Sequence, residues 1–289
     1  MEATSKEFIQ QEPSVLDKKF LDWKFLEWKR SIAGQRWKQA AIATLLALLI
    51  AFSAWRCNVD LRSFVLGIDK GIPLVGMFFP PDLSSLTSML QPLAVTVVMA
   101  MAATILGMCL SLPCALAASS NLAPPFLRLA MRAFIALERG LPEIVQLLLL
   151  IAIFGLGVVP GLVALSFSSI GMLAKLLADG IEEIEPQMLE SVAGTGATRS
   201  QVIRYAVIPQ ILPSLFANGL FRFEFNIRAG VMLGAVGAGG IGYVMRTSMN
   251  AMDYQKACVA VILTLILVFT IERVSDFFRT RILSGGLLR

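Results

Sequence analysis

Residues 190–213 read ESVAGTGATRSQVIRYAVIPQILP, a polar stretch that lies between long apolar runs of the chain. It carries Glu190, Arg199 and Arg204. Charged side chains are costly in the core of a bilayer, so this stretch is expected to lie outside the membrane although its neighbours are apolar enough to enter it. The sequence therefore indicates membrane-crossing segments joined by a polar loop.

The polar loop is predicted to form two short helices joined by a tight turn. Gly196 permits a reversal of the backbone, and Thr198 with Gln201 has the spacing of a capping box that begins the second helix. Pro209 and Pro213 are then expected to stop that helix and to begin another segment. A compact helix-turn-helix outside the membrane is suited to docking on a partner.

The composition predicts an all-α, polytopic membrane protein. Of the 289 residues, 56% are hydrophobic and 16% are charged, and the mean hydropathy of +0.74 is far above that of a soluble globular chain. Uncharged runs cover residues 83–127, 144–174 and 257–271. The first two exceed the ~20 apolar residues that a spanning helix needs.

The apolar segments predict about six transmembrane helices, at residues 39–56, 89–118, 143–157, 161–179, 212–235 and 256–276. One long bent helix is the alternative to the third and fourth of these. Segments rich in Lys and Arg face the cytoplasm, and only two separate spans place both the 119–143 connector and the 190–213 loop there. We therefore expect a multi-pass protein of the bacterial cytoplasmic (inner) membrane, with both termini in the cytoplasm.

Residues 1–38 precede the first span and carry charges of both signs. Large apolar residues recur in this arm at helical spacing, namely Leu21, Phe25, Trp28 and Ile32. This pattern predicts an amphipathic helix whose tryptophans lie at headgroup depth, and a solvated tail is the alternative. The expected organisation is a cytoplasmic N-terminal arm over 1–38 and a transmembrane domain over 39–289.

The residue inventory excludes several kinds of enzyme. The chain has no histidine, which rules out HExxH metalloproteases and Ser-His chemistry, and it has no Gly-Lys dipeptide and hence no Walker A loop. The four cysteines lack metal-ligand spacing. Gly237-x-Gly239-x-x-Gly242 matches a dinucleotide fingerprint, but no strand precedes it, so close helix packing is favoured. We expect no catalytic residue, cofactor or metal on this chain, and no nucleic-acid partner.

Charged residues also occur within the predicted fifth span, in the sequence FRFEFNIRAG at 221–230. They are accompanied by an amide, and the set comprises Arg222, Glu224, Asn226 and Arg228. Charges inside a span usually face the interior of a helix bundle or a water-filled path. These four residues are therefore candidates for a surface that conducts or gates an anion. Interhelical ion pairs, or a span that begins later in the chain, are the alternatives.

Seven residues of the polar loop carry a resemblance to a known family: Glu190, Ser191, Gly196, Ala197, Thr198, Ile208 and Pro209. In this order they resemble the EAA loop of the membrane subunits of binding-protein-dependent ABC importers, with Val192 and Ala206 as mild departures from the family pattern. The resemblance implies the type I ABC importer permease fold. It also implies that the loop docks in a groove of a separate ATPase, with Glu190 anchoring it and Gly196 setting its bend.

The same resemblance implies a set of partners. Two copies of the chain would assemble in the membrane lipid with two copies of an ABC ATPase, which would bind ATP and Mg. One periplasmic or lipid-anchored solute-binding protein would deliver the substrate. The chain itself would supply the permeation pathway and the mechanical coupling.

Further stretches narrow the resemblance to the phosphonate permeases. They are FRFEFNIR at 221–228, VGAGGIG at 236–242, SIGMLAKLL at 169–177, IEEIEP at 181–186 and FFPPD at 78–82. The resemblance implies inward movement of a phosphonate-type oxyanion. An ABC permease for another small substrate such as phosphite or hypophosphite stays open, as does an ion-coupled secondary transporter, which would transport without an ATPase.

Overall fold

The computed structural model describes residues 15–57 and 61–283, and the regular structure within these ranges is helical throughout. The α-helices are α1 (Val15–Arg56), α2 (Leu61–Gly76), α3 (Leu86–Ala118), α4 (Pro125–Gly140), α5 (Glu143–Phe154), α6 (Val158–Glu182), α7 (Pro186–Gly194), α8 (Arg199–Val202), α9 (Ile208–Leu233), α10 (Gly240–Asn250) and α11 (Tyr254–Leu283). The chain divides into two compact units, Met1–Pro73 and Leu74–Arg289. The predicted all-α fold is confirmed.

The first unit is dominated by the long helix α1. Its 20-residue segment Trp37–Arg56 is apolar and long enough to cross a membrane, and none of that segment is buried inside the chain. The predicted first span at 39–56 is thus confirmed as a spanning candidate. Residues 1–14 lie outside the described residues, as do the side chains at 15–22 and 24–36, so the amphipathic interpretation of the arm stays a prediction.

In the second unit, α3 and α6 lie side by side and run in the same direction. Gly107 has no room for a Cβ because Ser169 packs against it, and the Ser120 N–H donates to the Glu182 carboxylate at 2.5 Å. Both pairs are 62 residues apart in sequence, so the register is constant along the two helices. Small residues at such contacts let helix backbones approach closely, which is how membrane helices gain packing energy.

The chain returns between these parallel helices through α4 and α5. Arg132 of α4 pairs with Glu182 at the end of α6, whereas Glu143 at the start of α5 accepts from Ser168 in the middle of α6. Together α4 and α5 therefore run antiparallel to α6. The predicted third span at 143–157 is a helix of only 12 residues, about 18 Å long, which is less than the ~30 Å of a hydrocarbon core.

By length and composition, four described helices can cross a membrane, and a fifth is added if a bent pair counts as one span. The four are Trp37–Arg56, Leu83–Ala118, Val158–Glu182 and Tyr254–Ile282, and the pair is Arg199–Ala238 with Gly240–Asn250, bent by 53°. Five of the six predicted spans coincide with these segments. The sixth apolar segment is the short helix α5.

α9 packs antiparallel across α3 and α6, and α11 lies beside α3. Gly219 of α9 faces Met108 of α3, and Gly230 of α9 faces Met99, which lies nearer the start of α3. At the start of α11 the carbonyl of Gln255 accepts from the backbone N–H that precedes α3. The second unit is therefore a bundle in which α3, α6 and α11 run one way and α9 runs the other.

The two ends of the bundle differ in how many Arg and Lys residues they carry. The end formed by residues 118–132, 182–207 and the last turns of α11 is called the basic end, and its cations are Arg128, Arg132, Arg199, Arg204, Arg273, Arg279 and Arg281. The opposite end, formed by residues 77–85 and 246–256, carries Arg246 and Lys256 together with Asp82 and Asp253. The predicted polar loop at 190–213 thus lies at the basic end.

Candidate functional site

The coupling helices, defined as α7, the turn at 195–198 and α8, project from the basic end of the bundle. Pro186 is the first residue of α7, where its missing N–H is harmless. Gly196 has a φ of +83° in the turn, a conformation that L side chains rarely adopt. The Gln201 side chain accepts from the Thr198 N–H at 2.7 Å, so the turn and the start of α8 predicted from sequence are confirmed.

One face of the coupling helices is fixed to the bundle and the other is free within the described chain. Leu189 and Ile203 pack against a buried cluster that includes Leu177 and Ile181 of α6. The predicted docking residues lie on the outside: Glu190, Ser191, Gly196, Thr198 and Pro209 are exposed, while Ala197 and Ile208 are partly buried. Apolar contacts thus hold one face against the bundle, and five of the seven predicted docking residues stay exposed.

The prediction that Pro209 and Pro213 stop the second helix is wrong. The backbone stays helical from Arg199 to the end of α9 at Leu233, and α8 passes into α9 through a π-helical turn at Ile203–Val207. A proline lacks the N–H that an α-helix needs and crowds the carbonyl four residues earlier, and a widened turn relieves both problems. α8 and α9 therefore form one continuous helical segment.

The four predicted pathway residues of α9 fall into two separate arrangements. Arg222 is 3% exposed and pairs with Glu143 of α5 at 2.8 Å. Glu224 pairs instead with Arg228, one turn along the same helix, and Arg228 is half-exposed. Each arginine therefore holds a different carboxylate, and Arg222 forms an interhelical ion pair, one of the alternatives that the sequence left open.

Around Arg222 a network of hydroxyl groups joins three helices. Its Nε donates to Ser169 Oγ at 2.9 Å and its Nη2 donates to Ser168 Oγ at 2.7 Å. Asn226, which is fully buried, donates to Ser169 Oγ at 3.0 Å and to Thr104 Oγ1 at 2.9 Å. Arg222 and Asn226 thus share the face of α9 that packs on α3 and α6.

A cavity of about 510 Å³ opens beside this network and is called the Arg222 cavity. Its walls include Glu138, Glu143, Ser168, Met172, Arg222 and Phe225. Arg222 also stacks on Phe225, with its Cζ 4.8 Å from the ring centroid. A second groove of about 590 Å³, between α3 and α9, is almost wholly apolar and carries none of these charges.

Sequence reasoning missed Glu143 and the two serines of α6. Glu143 lies just before the uncharged run at 144–174, and a carboxylate at the edge of an apolar run reads as an interfacial residue. Its partner Arg222 is 79 residues away, so no local spacing could reveal the pair. The sequence signal that could have indicated the pair is an arginine within an apolar span, because a buried arginine needs a counter-charge.

The chain is similar in sequence to known membrane transport proteins. The family model described as "Binding-protein-dependent transport system inner membrane component" matches residues 107–284. A phosphite transport system permease protein from Stutzerimonas stutzeri is 31% identical over 245 residues, which cover 84% of this chain and 89% of that protein. A phosphate-import permease protein from Mycolicibacterium smegmatis is 37% identical over 215 residues, covering 73% of this chain and 40% of that longer protein.

The fold has counterparts among solved structures. An inward-facing conformation of the MetNI methionine ABC transporter contains a chain that matches with a TM-score of 0.61 and 20% sequence identity. The match covers 70% of this chain and 99% of that chain. At this identity the likeness supports the arrangement of helices alone.

Proposed function

This chain belongs to the family of inner membrane components of binding-protein-dependent transport systems and is a permease subunit of an importer, and from that premise we propose that its cargo is a small phosphorus oxyanion. The observation that carries the proposal is a buried guanidinium, Arg222, in the wall of a cavity within the helix bundle. Relatives that import phosphite and phosphate agree with such a cargo. Phosphonate, phosphite and hypophosphite all belong to the proposed class.

The chemistry of the cavity suits a tetrahedral anion. A guanidinium offers a planar set of donors to oxyanions, and a low-dielectric surrounding strengthens its attraction for them. Serine hydroxyls beside Arg222 can supply further donors without adding charge. Half-exposed Arg228 lies farther along α9 and is proposed to contribute to the electrostatic field of the same path.

The coupling helices support a mechanical role toward a separate ATPase. Their exposed face is polar, their inner face is anchored on α6, and their second helix continues into α9, which bears Arg222. We infer that two copies of the chain pair with two copies of an ABC ATPase, which binds ATP and Mg, and with one solute-binding protein. Closure of the ATPase pair would then act on α9 through α8.

Orientation in the membrane follows from the two ends of the bundle. Cytoplasmic segments of membrane proteins carry an excess of Lys and Arg, and the basic end holds seven arginines against one arginine and one lysine at the opposite end. We therefore place the basic end, with the coupling helices, on the cytoplasmic side of the inner membrane. We propose that both chain termini lie on that side as well.

The test is reconstitution of the chain into liposomes with its cognate ATPase and solute-binding protein. ATP-dependent uptake of phosphite, methylphosphonate or hypophosphite is expected, whereas methionine, offered with the same components, should not accumulate. Uptake by the chain alone under an ion gradient would instead support a secondary transporter. Uptake of methionine but of no phosphorus oxyanion would contradict the proposed cargo.

A further inference from the structure

Arg222 already holds an anion, and the chain itself supplies it. Its Nη2 lies 2.8 Å from Glu143 Oε1, and the Arg222 side chain is 3% exposed against 18% for Glu143. Among the residues whose side chains the structure describes, Arg222 is the one cation that is buried. The Glu143 carboxylate thus occupies donors that a phosphorus oxyanion would use, and it lies on the more open side of the pair.

The ion pair joins two helices that are held very differently. Arg222 lies near the middle of the 26-residue α9 and is fixed there by Ser169. Glu143 is the first residue of the 12-residue α5, which follows a proline and ends at Gly155, with a φ of +79°. Since Glu143 is the first residue of α5 and its side chain is 18% exposed, a change of its side-chain torsions suffices to withdraw the carboxylate while Arg222 stays in place.

Ser168 lies where an exchange of anions would occur. Its Oγ donates to Glu143 Oε1 at 2.5 Å and accepts from Arg222 Nη2 at 2.7 Å. When Glu143 withdraws, this hydroxyl and the guanidinium both point at the same part of the 510 Å³ Arg222 cavity. A small oxyanion that arrives there meets two donors that were just released.

We propose that Glu143 is an internal counter-anion of the permeation pathway. Between transport events Glu143 neutralises Arg222, a passing oxyanion replaces the Glu143 carboxylate on the guanidinium, and Glu143 then expels the oxyanion by returning. A buried guanidinium without a partner is costly, and exchange of one anion for another keeps it paired throughout. The carboxylate also keeps the site weak enough to release its cargo, as a conducting path requires. This inference rests on the proposed function, because it needs an anionic cargo.

The test compares anion binding by wild type, Glu143→Gln and Glu143→Asp. Each is prepared as the full permease–ATPase complex in lipid nanodiscs, without nucleotide or binding protein, and is titrated with phosphite and with methylphosphonate at fixed ionic strength. The glutamine keeps the shape of the side chain but cannot compete as an anion, so binding should tighten on the order of tenfold. ATP-driven uptake by Glu143→Gln should fall, because the bound anion is released slowly.

Two further variants control the comparison. Glu143→Asp restores the charge and should return the affinity to within about threefold of wild type. Asp179→Asn removes a carboxylate from α6 that pairs with Lys175 at the surface, away from the cavity, and should leave anion affinity unchanged. Ser168→Ala keeps the ion pair but removes a donor from the exchanged anion, so it should weaken binding.

The outcomes separate this inference from the proposed function. Equal phosphite affinity in wild type and Glu143→Gln, with both complexes assembled and of similar Tm, overturns the counter-anion role even if wild type imports phosphite. If Glu143→Gln does not assemble, Glu143→Ala takes its place in the same comparison, and an affinity equal to that of wild type overturns the inference. Failure of wild type to import any phosphorus oxyanion contradicts the proposed function, and with it the inference that rests on it, whatever the binding comparison shows.

Discussion

At the scale of single residues, the two buried charged side chains of α9 have partners of different kinds, one on another helix and one on the same helix. The Glu224 side chain is 8% exposed, and its partner Arg228 is 49% exposed on the next turn of the same helix. The pair therefore joins a buried carboxylate to a cation at the surface of the chain. Removal of Arg228 would leave Glu224 as an uncompensated buried charge.

We predict that Arg228→Ala destabilises the protein and that the double variant Glu224→Gln/Arg228→Ala recovers most of the loss. The single change should cost up to about 3 kcal/mol, since an unpaired buried charge is the main penalty. Thermal unfolding of the purified complex measures both. Lys175→Ala is the matched control because Lys175 pairs with Asp179 at the same i,i+4 spacing, but both partners are about half-exposed; its cost should be at most ~0.5 kcal/mol.

A double variant no more stable than Arg228→Ala would show that Glu224 is not the residue that suffers from the loss of Arg228. Uptake per assembled complex is measured in parallel. If Arg228→Ala transports at the wild-type rate once assembled, Arg228 stabilises the helix but does not belong to the pathway.

The sequence could reveal one of these pairs but not the other. Residues four apart share a helix face, so Glu224 and Arg228 are readable as a pair from their spacing alone. Arg222 and Glu143 meet only because the chain turns back through α4 and α5. Pairings of this second kind need the tertiary arrangement, and local patterns carry no information about them.

At the scale of elements, the coupling helices depend on one backbone position. Gly196 has a positive φ, and nothing lies within 4 Å of where its Cβ would be. A side chain there meets open space, so its only penalty is the left-handed backbone. Gly194, two residues earlier in α7, is also open but has no positive φ.

We predict that Gly196→Ala uncouples the ATPase and that Gly194→Ala does not. The left-handed conformation costs an alanine about 1–2 kcal/mol, which favours a different turn and a reoriented α7. Stimulation of the partner's ATPase by loaded solute-binding protein should fall severalfold in Gly196→Ala, while membrane insertion stays normal. Alanine at Gly194 sits in a helix and should leave stimulation near the wild-type level.

Wild-type stimulation in Gly196→Ala, or an equal loss in both variants, would contradict the assignment of this turn as the part that docks.

The start of α8 could be predicted from the sequence, whereas its continuation into α9 could not. A glycine turn and a capping box are local signals that need no tertiary partner. Whether a helix continues past Pro209 depends instead on whether a π-turn can form before it, and residues 203–207 form one.

At the scale of the whole molecule, the parallel register of α3 and α6 fixes which loops share an end. Because both helices run from the opposite end to the basic end, the segments that follow them emerge together, as Asn121 shows by donating to the carbonyl of Ile181 at 2.8 Å. Parity of the spans predicted this shared side. It did not predict that half of the return path would be the charged helix α4, because a helix with several arginines does not resemble a span.

We predict that single cysteines at Ser84 and Thr198 are labelled from opposite sides of the membrane by an impermeant thiol reagent. Both positions are exposed, and they lie at the opposite end and at the basic end of the bundle. Ser85 is unsuitable because it is buried and its hydroxyl donates to the Asp82 carbonyl at 2.7 Å. The native cysteines, Cys57, Cys109, Cys114 and Cys258, are free thiols and are first replaced by alanine.

In intact spheroplasts, Ser84→Cys should react and Thr198→Cys should react only after the membrane is opened. Reaction of Thr198→Cys in intact cells would place the basic end outside, against the distribution of arginines, and would detach the coupling helices from any cytoplasmic ATPase. Reaction of both from the outside would mean that the 84–198 segment crosses the membrane an even number of times. That result would contradict α4 and α5 as one returning path between α3 and α6, because three crossings place the two cysteines on opposite sides.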